Sequence, residues 1–339
     1  MKIWKRALLI ALCALMILAM PFVLCAGEML GDTTWVDGGE DDLTFDFDFS
    51  RLLFPSAYAE EEKSYALPID FSAGMQPNPD GYTEDGYQDD SITVRMETRE
   101  ENGVTWRLAF VEIKDPSQLR TATAGKLKYT DKTTALVSVM ACAKNAVVAI
   151  NGDYFTDDQA KRSFEYRMGE PVKSNDGNPK GNKKKDILII DENGDFHTFV
   201  CSDKDGMKEF AQSGRKIVNA FTFGPALVQE GQLLEIDRNY SYNPNKPEPR
   251  AAIGQMGPLS YVFILAEGRN ESAGASIHDL ARFAYDLGCV EAYNLDGGNS
   301  ATLVFNNRFY MDKNPNSERD QYDIIYFASA VDPSEWKQE

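Results

Sequence analysis

Between Ser91 and Ile113 the sequence alternates apolar and polar residues in two runs, and Asn102-Gly103 divides them. Ile92, Val94 and Met96 fall on one side and Thr93, Arg95 and Glu97 on the other. That is the period of a strand half-buried in a sheet. Asn-Gly supplies the left-handed residues that a two-residue hairpin requires. The stretch DILIIDENGDFHTFV repeats the device around Asn193-Gly194. A chain with two such hairpins places part of its core on antiparallel sheet.

Other segments point to helices and to strands covered on both faces. TTALVSVMACAKN reads as a helix with Leu136, Val139, Met140 and Ala143 on its apolar face, stopped near Asn145. SIHDLARFAYDLG reads as a helix opened by a Ser276–Asp279 capping box and closed at Gly288. Its apolar stripe is Ile277, Leu280, Ala281, Ala284 and Leu287. AVVAI, YVFILA and CVEAYN read as buried strands, and NAFTFGPALVQEG as a strand interrupted at Gly224-Pro225. Strands outnumber helices, and hairpins mix with helical crossovers. The expected class is α+β, with a mixed, largely antiparallel sheet.

The first residues stand apart. A basic MKIWKR precedes an uncharged run from Ala7 to Ala26, long enough to cross a bilayer as a helix. The basic flank keeps the N-terminus inside, so the remainder of the chain is exported, anchored if the run is kept and secreted if it is cleaved. Residues 27–63 read as an acidic spacer, and residues 64–335 as one domain whose motifs span 89–330. Beyond the run only Cys142, Cys201 and Cys289 remain, too few for a disulfide scaffold. Cys142 and Cys289 read as small buried hydrophobes. A net charge of −18 argues against nucleic acid as a partner.

Three strand ends carry polar residues beside glycine: Asn151-Gly152-Asp153, Gly268-Arg269, and Asn294-Leu295-Asp296-Gly297-Gly298 followed by Ser300. Glycine there lets backbone approach a ligand closely and leaves N–H groups to meet an anion. Each alone is an ordinary turn composition. Three together, with Arg250 in PRAAIG, fit a polar site gathered at one edge of the sheet.

In order along the chain, INGDYF, FGPALVQEG, PRAAIG, AEGR and NLDGGNSATLVFN resemble the motifs of the phosphodiester glycosidase family. The resemblance covers roughly residues 89–330. Asp153 stands where many members carry Gly, and Asn299 replaces a third Gly. Many bacterial members are exported and linked to exopolysaccharide. The resemblance implies hydrolysis between a sugar's anomeric carbon and phosphate, in a surface glycan or wall polymer. For that chemistry Asp296 is the expected carboxylate, and Asp153, whose role is not inherited from the family, and Arg250 complete the candidate catalytic set. Asn151, Gly152, Arg269, Asn294, Gly297, Gly298 and Ser300 would bind substrate, with the arginines on phosphate.

Other chemistries are less well supplied. Only His197 and His278 are present, so a three-His zinc site is impossible and Ser300 lacks an obvious base. No cofactor is expected, although Asp153, Asp296 and nearby carbonyls are the groups a calcium ion would take. Lys180 and Lys183 to Lys185 read as a solvated loop, and Arg167 and Lys173 as weaker phosphate candidates. Two other functions stay open on the residues alone: a non-catalytic glycan-binding module, and a phosphodiesterase cleaving P–O.

Overall fold

The computed structural model describes residues 63–125, 133–153, 164–173, 185–200, 203–241, 243–312 and 317–336. The Ala7–Ala26 run, the spacer up to Glu62, Cys201 and residues 180–184 lie outside the described residues. Among the described residues, no helix is long and apolar enough to cross a membrane.

Among the described residues, strands form one eight-stranded and two five-stranded sheets, accompanied by three α-helices. Both hairpins are present. Ile92–Glu101 and Val104–Ile113 pair in register from Ile92↔Ile113 to Glu101↔Val104, with Asn102 at φ 53° and Gly103 at φ 76°. At the second hairpin only Gly194 is left-handed. The longer loop is held by Asp191, whose carboxylate accepts from the N–H groups of Asn193 and Asp195.

The expected mixed sheet is corrected: every strand pairing among the described residues is antiparallel, and the protein is mainly β. The crossovers exist, but each skips a place in the sheet. Ser260–Ala266 and Glu291–Asn294 both flank Arg250–Gly257 antiparallel to it, so they run the same way, joined through the Ile277–Asp286 helix. Leu119–Thr123 and Ala146–Asn151 flank Asp323–Ala328 likewise, joined through the Val137–Ala143 helix.

The layers explain the unbroken apolar strands. One face of the large sheet (Ile253, Tyr261, Phe263, Tyr293) packs on Val148, Ile150, Ile325 and Phe327 of a five-stranded sheet. Its other face (Trp106, Leu108, Val262, Ile264) is covered by Ile277, Leu280, Ala281 and Ala284. Phe283 from that helix stacks on Trp106, with ring centroids 3.8 Å apart. The five-stranded sheet is covered on its far side by Val137, Met140 and Ala141. Order is therefore helix, sheet, sheet, helix. Strands buried on both faces need no polar alternation, which is why antiparallel strands here resemble parallel ones in sequence.

One helix face is also corrected. The buried stripe is Val137, Met140 and Ala141, whereas Val139 is 56% exposed. Leu136 is the N-cap, so the helix begins one residue later and its inward face lies one position on from the stripe read in the sequence. Cys142 is consequently exposed and Cys289 buried; both are free thiols. Lys185 is buried, with its ammonium 5.3 Å from the Phe223 ring centroid, and so is not part of a solvated loop.

Candidate active site

Ala146–Asn151 and Glu291–Asn294 belong to different sheets but release their C-terminal residues at one place. Asn151 joins them. Its Nδ2 donates to the carbonyls of Gly152 at 2.9 Å and Asp296 at 2.8 Å, while its Oδ1 accepts from the Thr302 N–H at 3.1 Å. The Asp296 N–H donates to the Gly152 carbonyl. A fully buried amide with these bonds is a clamp on the Asp296 backbone.

Gly152 must be small. A Cβ there would lie 1.9 Å from Oδ1 of Asp323, and the Gly152 N–H donates to the Asp323 carbonyl. Gly297 is equally confined, since a Cβ would lie 2.6 Å from the Pro249 carbonyl. Gly298 has a left-handed φ of 62°.

Asp296 is half-buried. Burial raises its pKa to about 6, against the lowering effects of the Ser300 hydroxyl, the Arg319 charge and the Gly297 N–H; Asp153 adds to the rise. Its Oδ2 has no protein partner among the described residues, and neither have Oδ2 of Asp153 or Oδ1 of Asn294. Three buried acceptors without donors at a strand-end cluster are what hydroxyl-bearing or aquated ligands would satisfy. Asn294 itself is turned toward the Gly224 carbonyl, to which its Nδ2 donates.

Behind these carboxylates lies an ion-pair network that the sequence reading did not assemble. Arg167, fully buried, donates from Nε to Asp323 Oδ2 at 2.6 Å and from Nη2 to Asp153 Oδ1 at 3.1 Å. Its guanidinium also reaches the Tyr166 and Ala220 carbonyls and lies 4.1 Å from the Phe221 ring centroid. Burial alone would lower its pKa, but Asp323, Asp153 and Glu165 outweigh that and raise it. Arg167 comes from one sheet and Asp153 and Asp323 from beside another, so three sequence-distant segments meet. The clue was the acid in YDIIYF, placed at the mouth of an apolar run as Asp153 is.

The arginines differ from one another. Arg250 is buried and donates to the carbonyls of Ala275, Asn243 and Lys246. Desolvation lowers its pKa to about 10. Arg269 is half-exposed, with Nε 2.7 Å from Glu248 and Nη1 2.6 Å from the Asn299 amide oxygen. It borders a cleft of about 420 Å³ that includes Gly298, Asn299, Asn270 and Met311. Arg319, unremarked in the sequence, has Nη1 3.5 Å from the Ser300 hydroxyl. The histidines lie apart: His197 contacts Asp191 and Arg215, and His278 contacts Asn245. Among the described residues no three His, Cys, Asp or Glu side chains are grouped to hold a metal ion.

Comparison with known proteins agrees with the motifs. A SPbeta prophage-derived protein of Bacillus subtilis, YomE, is 24% identical over 197 residues, covering 58% of this chain and 30% of its own length. The mouse N-acetylglucosamine-1-phosphodiester alpha-N-acetylglucosaminidase is 30% identical over 107 residues, 30% of this chain and 21% of that protein. The chain thus spans under a third of these curated relatives. The catalytic domain of the zebrafish enzyme of the same name, auto-inhibited by its pro-peptide, has a similar fold. The TM-score is 0.54 at 17% identity, over 76% of this chain and 87% of that one. The phosphodiester glycosidase family model matches residues 144–328, the span holding Asn151, Asp153, Arg167, Asp296 and Asp323. The chain belongs to the phosphodiester glycosidase family.

Proposed function

We propose that this chain is an exported hydrolase that splits sugar-1-phosphodiester linkages on the sugar side, in a surface glycan or wall polymer. The observation that carries the reading is Asp296: a carboxylate held by its backbone at the junction of two sheets, with one oxygen unpartnered, and beside it Asp153, which keeps one oxygen on Arg167 and the other unpartnered and is close enough to raise the Asp296 pKa. As the bond from the anomeric carbon to phosphate breaks, phosphate keeps the electron pair and positive charge develops on the sugar. Ionised Asp296 meets that charge. Water adds to the anomeric carbon, and its proton passes to Asp153. Phosphate leaves readily, so no strong acid is required. The second ester group of the substrate lies in the cleft beside Arg269. Arg250, committed to three carbonyls, supports the turn from behind.

Incubation with a panel of sugar-1-phosphodiesters in water enriched in heavy oxygen tests the bond broken. The label is expected in the released sugar. Label in the phosphomonoester would replace this reading with cleavage at phosphorus. Export rests on the basic start and the uncharged Ala7–Ala26 run. Residues 1–65 fused to a reporter should carry it out of the cytoplasm, and retention inside would remove that part of the proposal.

A further inference from the structure

We infer that Arg319 is the cation that holds the departing phosphate; this rests on the sugar-side cleavage proposed above and names a residue for it that no motif marks. The site needs such a group. When the anomeric C–O bond breaks, its electron pair turns a singly charged diester into a monoester that gains a second negative charge. That charge appears on the oxygen nearest the sugar, and therefore near Asp296.

Four arginines bear on the site, and their places differ. Arg167 is fully buried between Asp153 and Asp323, behind the carboxylates and out of reach of a ligand. Arg250 points away, into the carbonyls of Asn243, Lys246 and Ala275. Arg269 packs against Gly298 on the wall of the cleft. Its charge is matched there by Glu248 at 2.5 Å. Arg319 has its Nη1 3.5 Å from the Ser300 hydroxyl, and that hydroxyl and the Arg319 charge both lower the Asp296 pKa.

The order carboxylate, hydroxyl, guanidinium suits a substrate whose sugar carbon meets Asp296 while its phosphate meets Ser300 and Arg319. A planar guanidinium can take two phosphate oxygens at once. The segment carrying Arg319 leads directly into Asp323–Ala328, and the Arg319 carbonyl accepts from the Gln321 side chain.

The test uses two probes, the methyl phosphodiester of N-acetylglucosamine-1-phosphate and N-acetylglucosaminyl fluoride. They share a sugar, but only the first releases phosphate. Arg319→Ala should lower kcat/KM on the diester about 100-fold, as loss of one oxyanion donor does, and on the fluoride by less than about 5-fold. Guanidinium ions added at millimolar concentration should restore part of the diester activity of Arg319→Ala and none for the fluoride. Equal losses on both probes would make Arg319 a residue of the fold, and an unchanged diester rate would remove it from the site. Heavy-oxygen label in the phosphate released from the diester by the unmutated chain would sink the sugar-side reading itself, before any variant is made.

Discussion

Asp296→Asn should reduce turnover about a thousandfold or more, because the amide keeps shape but cannot meet developing positive charge. The same change should make the protein more stable. In the folded state burial raises the Asp296 pKa to about 6, from an ordinary value of 3.8. A raised carboxylate pKa means the native state favours the protonated acid. That contribution is fully present below the unfolded pKa and is lost as pH rises through about 6. At neutral pH the ionised group then costs on the order of 2 kcal/mol, less where water screens it. Asparagine removes the cost, so the melting temperature should rise by about 2–5 °C at pH 7.5 and hardly at all near pH 4. Below pH 6 the unmutated enzyme should lose kcat/KM as Asp296 protonates. Thermal melts at the two pH values and a pH–rate profile check this. Unchanged turnover in Asp296→Asn would return the NLDGG stretch to an ordinary turn.

Arg167→Leu should have the largest effect on stability. Arg167 contacts Asp153 and Asp323, both fully buried, and its charge acts on Glu165. Removing one partner from a buried ion pair leaves charge without compensation and costs about 3–5 kcal/mol. Replacing both partners with apolar groups is much less costly, so Arg167→Leu with Asp323→Leu should recover a large part of the loss. Urea unfolding of the single and double variants at neutral pH measures the difference. A loss below about 1 kcal/mol in the single variant would show that the network contributes little.

Much of the fold was legible because local rules and tertiary structure agree. Asn102-Gly103 needed no distant partner to fix its turn, and Ser276 with Asp279 capped its helix as read. Asp153 and Asp296 were legible for a similar reason: each follows an apolar strand, beside glycine. Where packing decided, the reading slipped. The phase of the Val137–Ala143 helix depends on where Leu136 leaves the coil, and seven residues carry too little periodicity to fix it. Strand direction was misjudged because helix and sheet cover both faces of Ala146–Asn151. Arg250 and Arg319 are indistinguishable as letters. Three carbonyls claim the first, and the second reaches Ser300 from a segment with no pattern of its own.

The skipped place in the smaller sheet sets an order of events. Leu119–Thr123 and Ala146–Asn151 leave a gap between them that only Asp323–Ala328 fills. During synthesis the two outer strands emerge early, yet the strand that bridges them follows roughly 170 residues after Asn151, a long loop to close. Until it arrives, Asn151 stands beside an unpaired edge, and Asp323 is absent from Arg167. The end that carries the candidate site is thus completed late. The open edge of a nascent chain is where a chaperone or a second chain would bind first.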